Sequence, residues 1–258
     1  LCIRTMNGII DRLEGTDFLP LVVAGQTDSK AEAESICKLT GRRIDGLILL
    51  ATTALDADIA EFAKRQPIVM GGRNFEAVNV FGCRIDQSRG GYLATQHLIA
   101  LGHRRIAHIA GPHTDTNAIE RRAGYEAAMR EAGIEIDPVL IVEGDFSDSG
   151  GFSAMNALLD TQQPFTAVFA ANDCTALGAL SALQRRGLRV PEDISLTSID
   201  DLAGAAFLTP ALTTVHQPSY EIGKFAAQTL LNVLGRSAEV ATLPSLEIVV
   251  RESTRRLH

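Results

Sequence analysis

Tryptophan is absent from this sequence, there are only three tyrosines, and no apolar run approaches the 18 or more residues that a membrane span requires. Residues 1–20 carry no signal-peptide pattern, so the chain reads as soluble, with no membrane partner. Lys and Arg number 24 against 31 Asp and Glu, for a net charge of −7. That balance excludes a self-sufficient grip on nucleic-acid phosphates, which needs clustered cations. Cys2, Cys37, Cys83 and Cys174 stand far apart, with no C-x-x-C pair and no Cys/His spacing suited to zinc. They read as buried, inert thiols in a reduced cytoplasmic setting, and no metal or cofactor is expected. Enzyme signatures are missing as well: no G-x-S-x-G elbow, no G-x-x-x-x-G-K-[ST] loop, no H-E-x-x-H and no G-x-G-x-x-G after a strand. "AGPHTDTN" (110–117) has one Gly and no Lys, and His113 is a lone loop histidine. A non-enzyme is expected; the competing enzymatic reading takes Asp173 or His113 as a base.

What the sequence does have is alternation. Short apolar runs at 19–25, 45–51, 67–71, 79–85, 105–111, 138–144, 166–172, 194–200, 212–217 and 245–251 are separated by helical stretches, the pattern of βαβ units with mostly parallel sheets. Several runs are apolar throughout, as strands covered on both faces should be. At 258 residues the chain has the length of about two domains. Helical faces are predicted at Ala33, Ile36 and Cys37, at Leu93, Gln96, His97 and Ala100, and at Ala118, Arg122, Tyr125 and Met129. Gly41, Gly102, Gly133 and Gly187 are placed to end helices in the left-handed conformation. The first helical stretch, about 3–14, has no strand before it, which predicts a strand upstream of this sequence. A domain boundary is expected near Gly102.

One class of residue recurs: a polar or aromatic side chain at the carboxyl end of a strand, where open α/β sheets bind ligands. Asp86, Asp115, Asn117, Phe146, Asn172, Asp200 and Gln217 all qualify. Carboxylates and amides beside one aromatic face suit sugars and other polyols, since acceptors take hydroxyl protons and the ring covers a C–H face. Arg121 adds a bidentate donor. Taken singly, each Asp or Asn is as well explained as a helix cap, and Phe146 as a packing residue. In "FAANDCTALGAL" (169–180), Asp173 reads as the cap of the next helix, Cys174 and Thr175 as packing or capping residues, and Asn172 as the one that faces a ligand.

The text "ID…GGYLATQHLIALGHRRIAHIAGP" (85–112), "RVPEDIS" (189–195), "LTTVHQP" (212–218) and "VVREST" (249–254) resembles the effector-binding core of the lactose repressor family of bacterial transcription regulators. The resemblance runs from 42–49 to the C-terminus. It implies two Rossmann-like subdomains with parallel sheets joined by three crossovers, as in type I periplasmic binding proteins: 1–102 plus 218–241, and 103–217 plus 242–258, with a ligand cleft between them. It places ligand contacts on Asp86, Asn117, Arg121, Phe146, Asn172, Asp200 and Gln217. It further implies a homodimer and a carbohydrate-like small-molecule effector. Operator DNA would be bound through a helix-turn-helix headpiece that this sequence lacks. Asp115 stands where the purine-responsive member has an arginine, which argues against a purine held by that anchor. A free periplasmic sugar-binding protein of the same fold is the competing reading.

Overall fold

The computed structural model describes residues 2–25, 28–50, 52–72, 75–240 and 242–257. Its elements run α1 (Cys2–Leu13), α2 (Ser29–Thr40), β1 (Leu47–Leu49), α3 (Asp56–Ala63), β2 (Ile68–Gly71), β3 (Val80–Cys83), α4 (Gln87–Ala100), β4 (Ile106–Ala110) and α5 (Thr116–Glu131). There follow β5 (Ile141–Glu143), α6 (Asp148–Asp160), β6 (Ala167–Ala170), α7 (Asp173–Arg185), β7 (Ser195–Asp200), β8 (Thr213–His216), α8 (Ser219–Val233) and β9 (Glu247–Val249). The chain forms two compact units. The first comprises the residues up to Ile85 together with Pro218–Pro244, and the second Asp86–Gln217 together with the residues from Ser245 onward.

In the first unit β1, β2 and β3 form a parallel sheet. Ile59, Ile68 and Met70 are buried in its core, and Val69 and Cys83 pack on the other side with Ala226 of α8. The stretch 19–25, expected to be a strand, is not one: residues 19–25 are exposed and make no ladder. A strand also needs a neighbouring strand to pair with, and apolar text alone does not supply one. Here Phe18–Gly25 instead lines an apolar cavity of about 640 Å³ with Ile44–Leu50, Ile36 and Leu230. Of the apolar run at 45–51, Ala51 lies outside the described residues.

In the second unit six strands are ordered β5-β4-β6-β7-β8-β9, all parallel except β9, which pairs antiparallel with β8. The α/β class with parallel-dominated sheets is the expected one. β4, β6 and β7 are buried along their whole length, which explains their apolar or small-residue text, broken by His108 and Asp200. Register brings the carboxyl ends level: Ile109 pairs with Ala170, and Asp200 with His216. The residues just past those ends therefore share one edge.

The first crossover falls at Ile85/Asp86, not near Gly102, and the third at Pro244/Ser245, not Ala241. The reason for the first shift is helix packing. α4 lies so close to α5 that a Cβ on Gly91 would stand 2.0 Å from the carbonyl oxygen of Arg121, and one on Gly124 2.0 Å from that of Ser88. Only glycine permits that approach, and it binds α4 to the second unit. The pairs α6–α7 (Gly151, Gly178) and α1–α8 (Gly8, Gly223) repeat the device. This packing also turns α4 from its expected face: Gly90, Gly91, Ala94 and Leu98 are buried, while Gln96 and Ala100 are exposed. On α5 the buried arginine is Arg121, and Arg122 is exposed.

Gly102, Gly133 and Gly187 take positive φ as expected, but Gly41 is right-handed at −66°. Cys2 and Cys37 are exposed, against the expectation of buried thiols; Cys83 alone is buried, and burial pushes its pKa up to about 12. Among the described residues no helix is long and apolar enough to cross a membrane.

Candidate functional site

All eight expected site residues belong to the second unit, and none lines the apolar cavity of the first. Arg121 stands on the buried face of α5, with its side chain 6 % exposed. Its Nε donates to Gln87 Oε1 at 2.8 Å, Nη1 to the carbonyl of Ala171 at 2.7 Å, and Nη2 to Gln217 Oε1 at 3.3 Å. A buried guanidinium with five donors needs such acceptors to offset its lost hydration. Gln87 Nε2 also donates to Gln217 Oε1, at 3.2 Å.

Asp200 faces Arg121 but does not close on it. Its Oδ1 lies 3.6 Å from Arg121 Nη2, and that buried oxygen accepts no hydrogen bond. Burial pushes the carboxyl up to about 6, against the pull of Arg121. The backbone there is unusual too, with φ of 130° at Asp200 and 54° at Asp201, a conformation that costs about 1–3 kcal/mol and collects at ligand sites.

Two neighbours hold this turn. Asp173, buried, accepts from Ser198 Oγ at 2.5 Å, Thr214 Oγ1 at 2.7 Å and the amide of Leu202 at 2.7 Å. Burial raises its pKa even against those bonds. Asp201 accepts from Arg251 Nη2 at 2.6 Å, and its other oxygen lies 2.9 Å from His216 Nδ1. Although burial works the other way, Arg251 and His216 hold the Asp201 pKa below its usual value.

It is Asn172, and not Asp173, that caps α7. Asn172 is the N-cap of α7, its Oδ1 accepting from the Thr175 amide at 2.8 Å, and its Nδ2 donates to the Phe146 carbonyl at 3.1 Å. Asp173 caps nothing; it ties β7 to β8 and to the loop that follows β7. Phe146, held by Asn172 at φ 65°, lays its ring over Gly111, where a Cβ would come within 2.3 Å of the ring. Arg121 Cζ is 5.7 Å from the same ring's centroid.

Arg121, Asp200, Gln217 and Phe146 thus come together. Asp86 and Asp115 do not join them by any bond: each is an N-cap, accepting from the amides of Arg89 at 2.8 Å and Ala118 at 3.0 Å. Asn117 is half-buried on the first turn of α5. Gln87 is the residue that sequence reasoning passed over. Its signal was its place beside Asp86, one turn before Gly91 on the α4 face that meets α5.

His108, His103 and His113 each bond to a group of the protein. His108 is stacked between Phe169 (4.6 Å) and Tyr125 (5.1 Å), and its Nδ1 donates to the Phe169 carbonyl at 2.9 Å. Burial pushes its pKa down to about 4. His103 joins Thr166 at 2.9 Å and the Arg255 carbonyl at 3.1 Å, and His113 pairs with Glu143 at 3.0 Å on the surface. The motif texts have structural work as well: Arg189 is bidentate to Asp193, and Ser253 Oγ donates to the Leu196 carbonyl at 2.6 Å. No group of three or more His, Cys, Asp or Glu among the described residues is arranged to hold a metal ion.

Comparison with known proteins follows the same lines. The family model of the periplasmic binding protein-like domain matches residues 95–254. The chain is 37 % identical, over 264 aligned residues, to the HTH-type transcriptional repressor CytR of Escherichia coli, covering 100 % of this chain and 77 % of that protein. Among solved structures it is similar to the transcriptional regulator CelR–cellobiose complex (TM-score 0.86, 35 % identity, 97 % of this chain and 78 % of that one). It is similar also to a LacI family transcriptional regulator from Enterococcus faecium with bound ribose (TM-score 0.87, 29 % identity, 100 % and 95 %).

Proposed function

Because the chain belongs to the LacI family of transcription regulators, we propose that its effector is a carbohydrate, or a molecule carrying one, held at the carboxyl end of the six-stranded sheet. The chain is the ligand-sensing core of such a regulator and not an enzyme. The observation that carries the effector reading is the Arg121–Asp200 pair, buried yet 3.6 Å apart, with an Asp200 oxygen that accepts nothing. A ligand hydroxyl that donates to Asp200 and accepts from Arg121 supplies what the pair lacks. The Phe146 ring, lying over Gly111, offers an apolar face for the sugar's C–H groups. Two similar regulators with cellobiose and ribose bound support the class.

In this reading Arg121, Asp200 and Gln217 are the polar contacts, Phe146 the apolar one, and Asn172 acts by holding Phe146. Asp86, Asp115 and Asn117 form the outer rim of the same site. The effector shifts operator affinity only through its difference in affinity for two states of the protein. Operator DNA is read by a helix-turn-helix segment outside this sequence, in a cytoplasmic homodimer. Calorimetric titration against D-ribose, cellobiose and a panel of further sugars and nucleosides tests the proposal. We expect binding by at least one, lost in Arg121→Ala and Asp200→Ala; silence across the whole panel refutes the carbohydrate class.

A further inference from the structure

We infer that Gln87 is a positioning residue for Arg121, and that it sets this arginine jointly with Gln217 from the two ends of the Asp86–Gln217 segment of the second unit. The inference rests on the site reading above in taking Arg121 as the effector's cationic contact. Gln87 is 6 % exposed and Gln217 likewise 6 %. Gln87 is the second residue after the Ile85/Asp86 junction, and Gln217 is the last before the Gln217/Pro218 junction. Their side chains are joined by the Gln87 Nε2 to Gln217 Oε1 bond at 3.2 Å. Each also takes one edge of the guanidinium, Gln87 Oε1 the Nε–H at 2.8 Å and Gln217 Oε1 an Nη2–H at 3.3 Å.

The geometry gives the two amides different jobs. A guanidinium is planar, so fixing Nε at one acceptor and Nη1 at the Ala171 carbonyl, 2.7 Å away, determines its plane and the direction of Nη2. Nη2 is the nitrogen that faces Asp200. Gln87 thereby decides where the Arg121 charge points without touching the space in front of Asp200. The amide group suits this place because it accepts from Arg121 with its oxygen and donates to Gln217 with its nitrogen, which neither a carboxylate nor an aliphatic side chain does. Gln217 is tied to the turn as well, its backbone N–H donating to the Asp200 carbonyl at 3.4 Å. A displacement of the chain at either junction is therefore passed to Arg121 through one hydrogen bond.

The test uses Gln87→Met, which keeps the volume and removes both bonds, and Gln87→Glu, which keeps the acceptor for Arg121 Nε and removes the donor to Gln217. The ligand-free readout is the exchange rate of the Arg121 Nε–H with water by NMR, its signal assigned by its loss in Arg121→Lys. We expect exchange at least tenfold faster in Gln87→Met, with protection restored in Gln87→Glu, and a displaced titration midpoint of Asp200 followed by carboxyl ¹³C shift. An Arg121 Nε–H as protected in Gln87→Met as in the wild type, with Asp200 titrating unchanged, overturns the inference. If Gln87→Met does not fold, Gln87→Ala is measured in its place against the same criteria. Titration with D-ribose, cellobiose and the wider sugar panel is run in parallel. Silence of the wild type there refutes the effector class alone, while the NMR result still decides the role of Gln87. Equal affinity of wild type and Gln87→Met for a sugar that binds overturns the inference independently.

Discussion

Replacing Asp200 by Asn should stabilise the ligand-free protein at neutral pH while destroying its ability to bind effector. The folded Asp200 carboxyl is pushed up from 3.8 to about 6 by burial. A raised folded value means that the protonated group favours folding: the contribution is full below the unfolded pKa and is lost as pH rises through the folded one. That rise corresponds to about 3 kcal/mol, lost between about pH 4 and pH 6 and not recovered above. Asn mimics the neutral carboxyl, so Asp200→Asn should match the wild type near pH 4 and exceed it by up to about 3 kcal/mol at pH 7.5. The wild type alone does not reveal this, because His108 runs the other way. Its pKa is pushed down from 6.5 to about 4, so its neutral form gives stability above pH 6.5 that is lost as pH falls toward 4, again about 3 kcal/mol. Only the difference between variant and wild type, from urea midpoints between pH 4 and 8, isolates Asp200. A difference that does not change with pH, or an Asn variant less stable than wild type at pH 7.5, refutes the claim that burial burdens this carboxylate.

Asp173→Ala strips three donors of a buried acceptor and should cost about 3 kcal/mol or more by denaturant unfolding, whereas Asn172→Ala should cost about 1 kcal/mol as a lost cap and weaken sugar binding by freeing Phe146. Gly111→Ala drives its methyl into the Phe146 ring, so calorimetry should find affinity reduced roughly tenfold with the unfolding midpoint nearly unchanged, since the half-buried ring has room to swing. Gly91→Ala presses a methyl on the Arg121 backbone carbonyl and should lower stability by about 1–3 kcal/mol along with binding. Sugar affinity should fall as pH drops below about 6, because a protonated Asp200 no longer attracts Arg121 and loses one acceptor site for the ligand.

The inner strands of the second unit were legible because they are buried on both sides and their residues say so: within β4 and β6 the one polar side chain is His108. The run 19–25 looked the same, yet a strand also needs a partner to bond, and periodicity does not report partners. Which of the strand-end residues would cap helices was not legible, for one physical reason. The strand-end positions that hold ligands are the positions that cap the following helices, and a sequence does not say which use a carboxylate or amide is put to. Asn172 and Asp173 are adjacent, both are polar and both sit at the turn, and only coordinates show that the amide caps while the acid is buried among hydroxyls. Gln87 was passed over because a lone glutamine at a helix start has no motif; its importance lies in Arg121, distant in sequence. The α4 face was mistaken since the close approach to α5 puts glycine where apolar bulk was sought.

The glycine-locked helix pairs also bear on how the chain is made. In the second unit both pairs, α4–α5 and α6–α7, join helices that are neighbours in sequence, so each can dock as soon as it leaves the ribosome. In the first unit the pair is not local: the glycine partner of α1 lies on α8 (Ser219–Val233). At about 5–20 residues per second, roughly 10–40 s separate the synthesis of α1 from that of α8, with the Asp86–Gln217 segment of the second unit made in between. Of the three glycine-locked pairs, α1–α8 is therefore the last that can close.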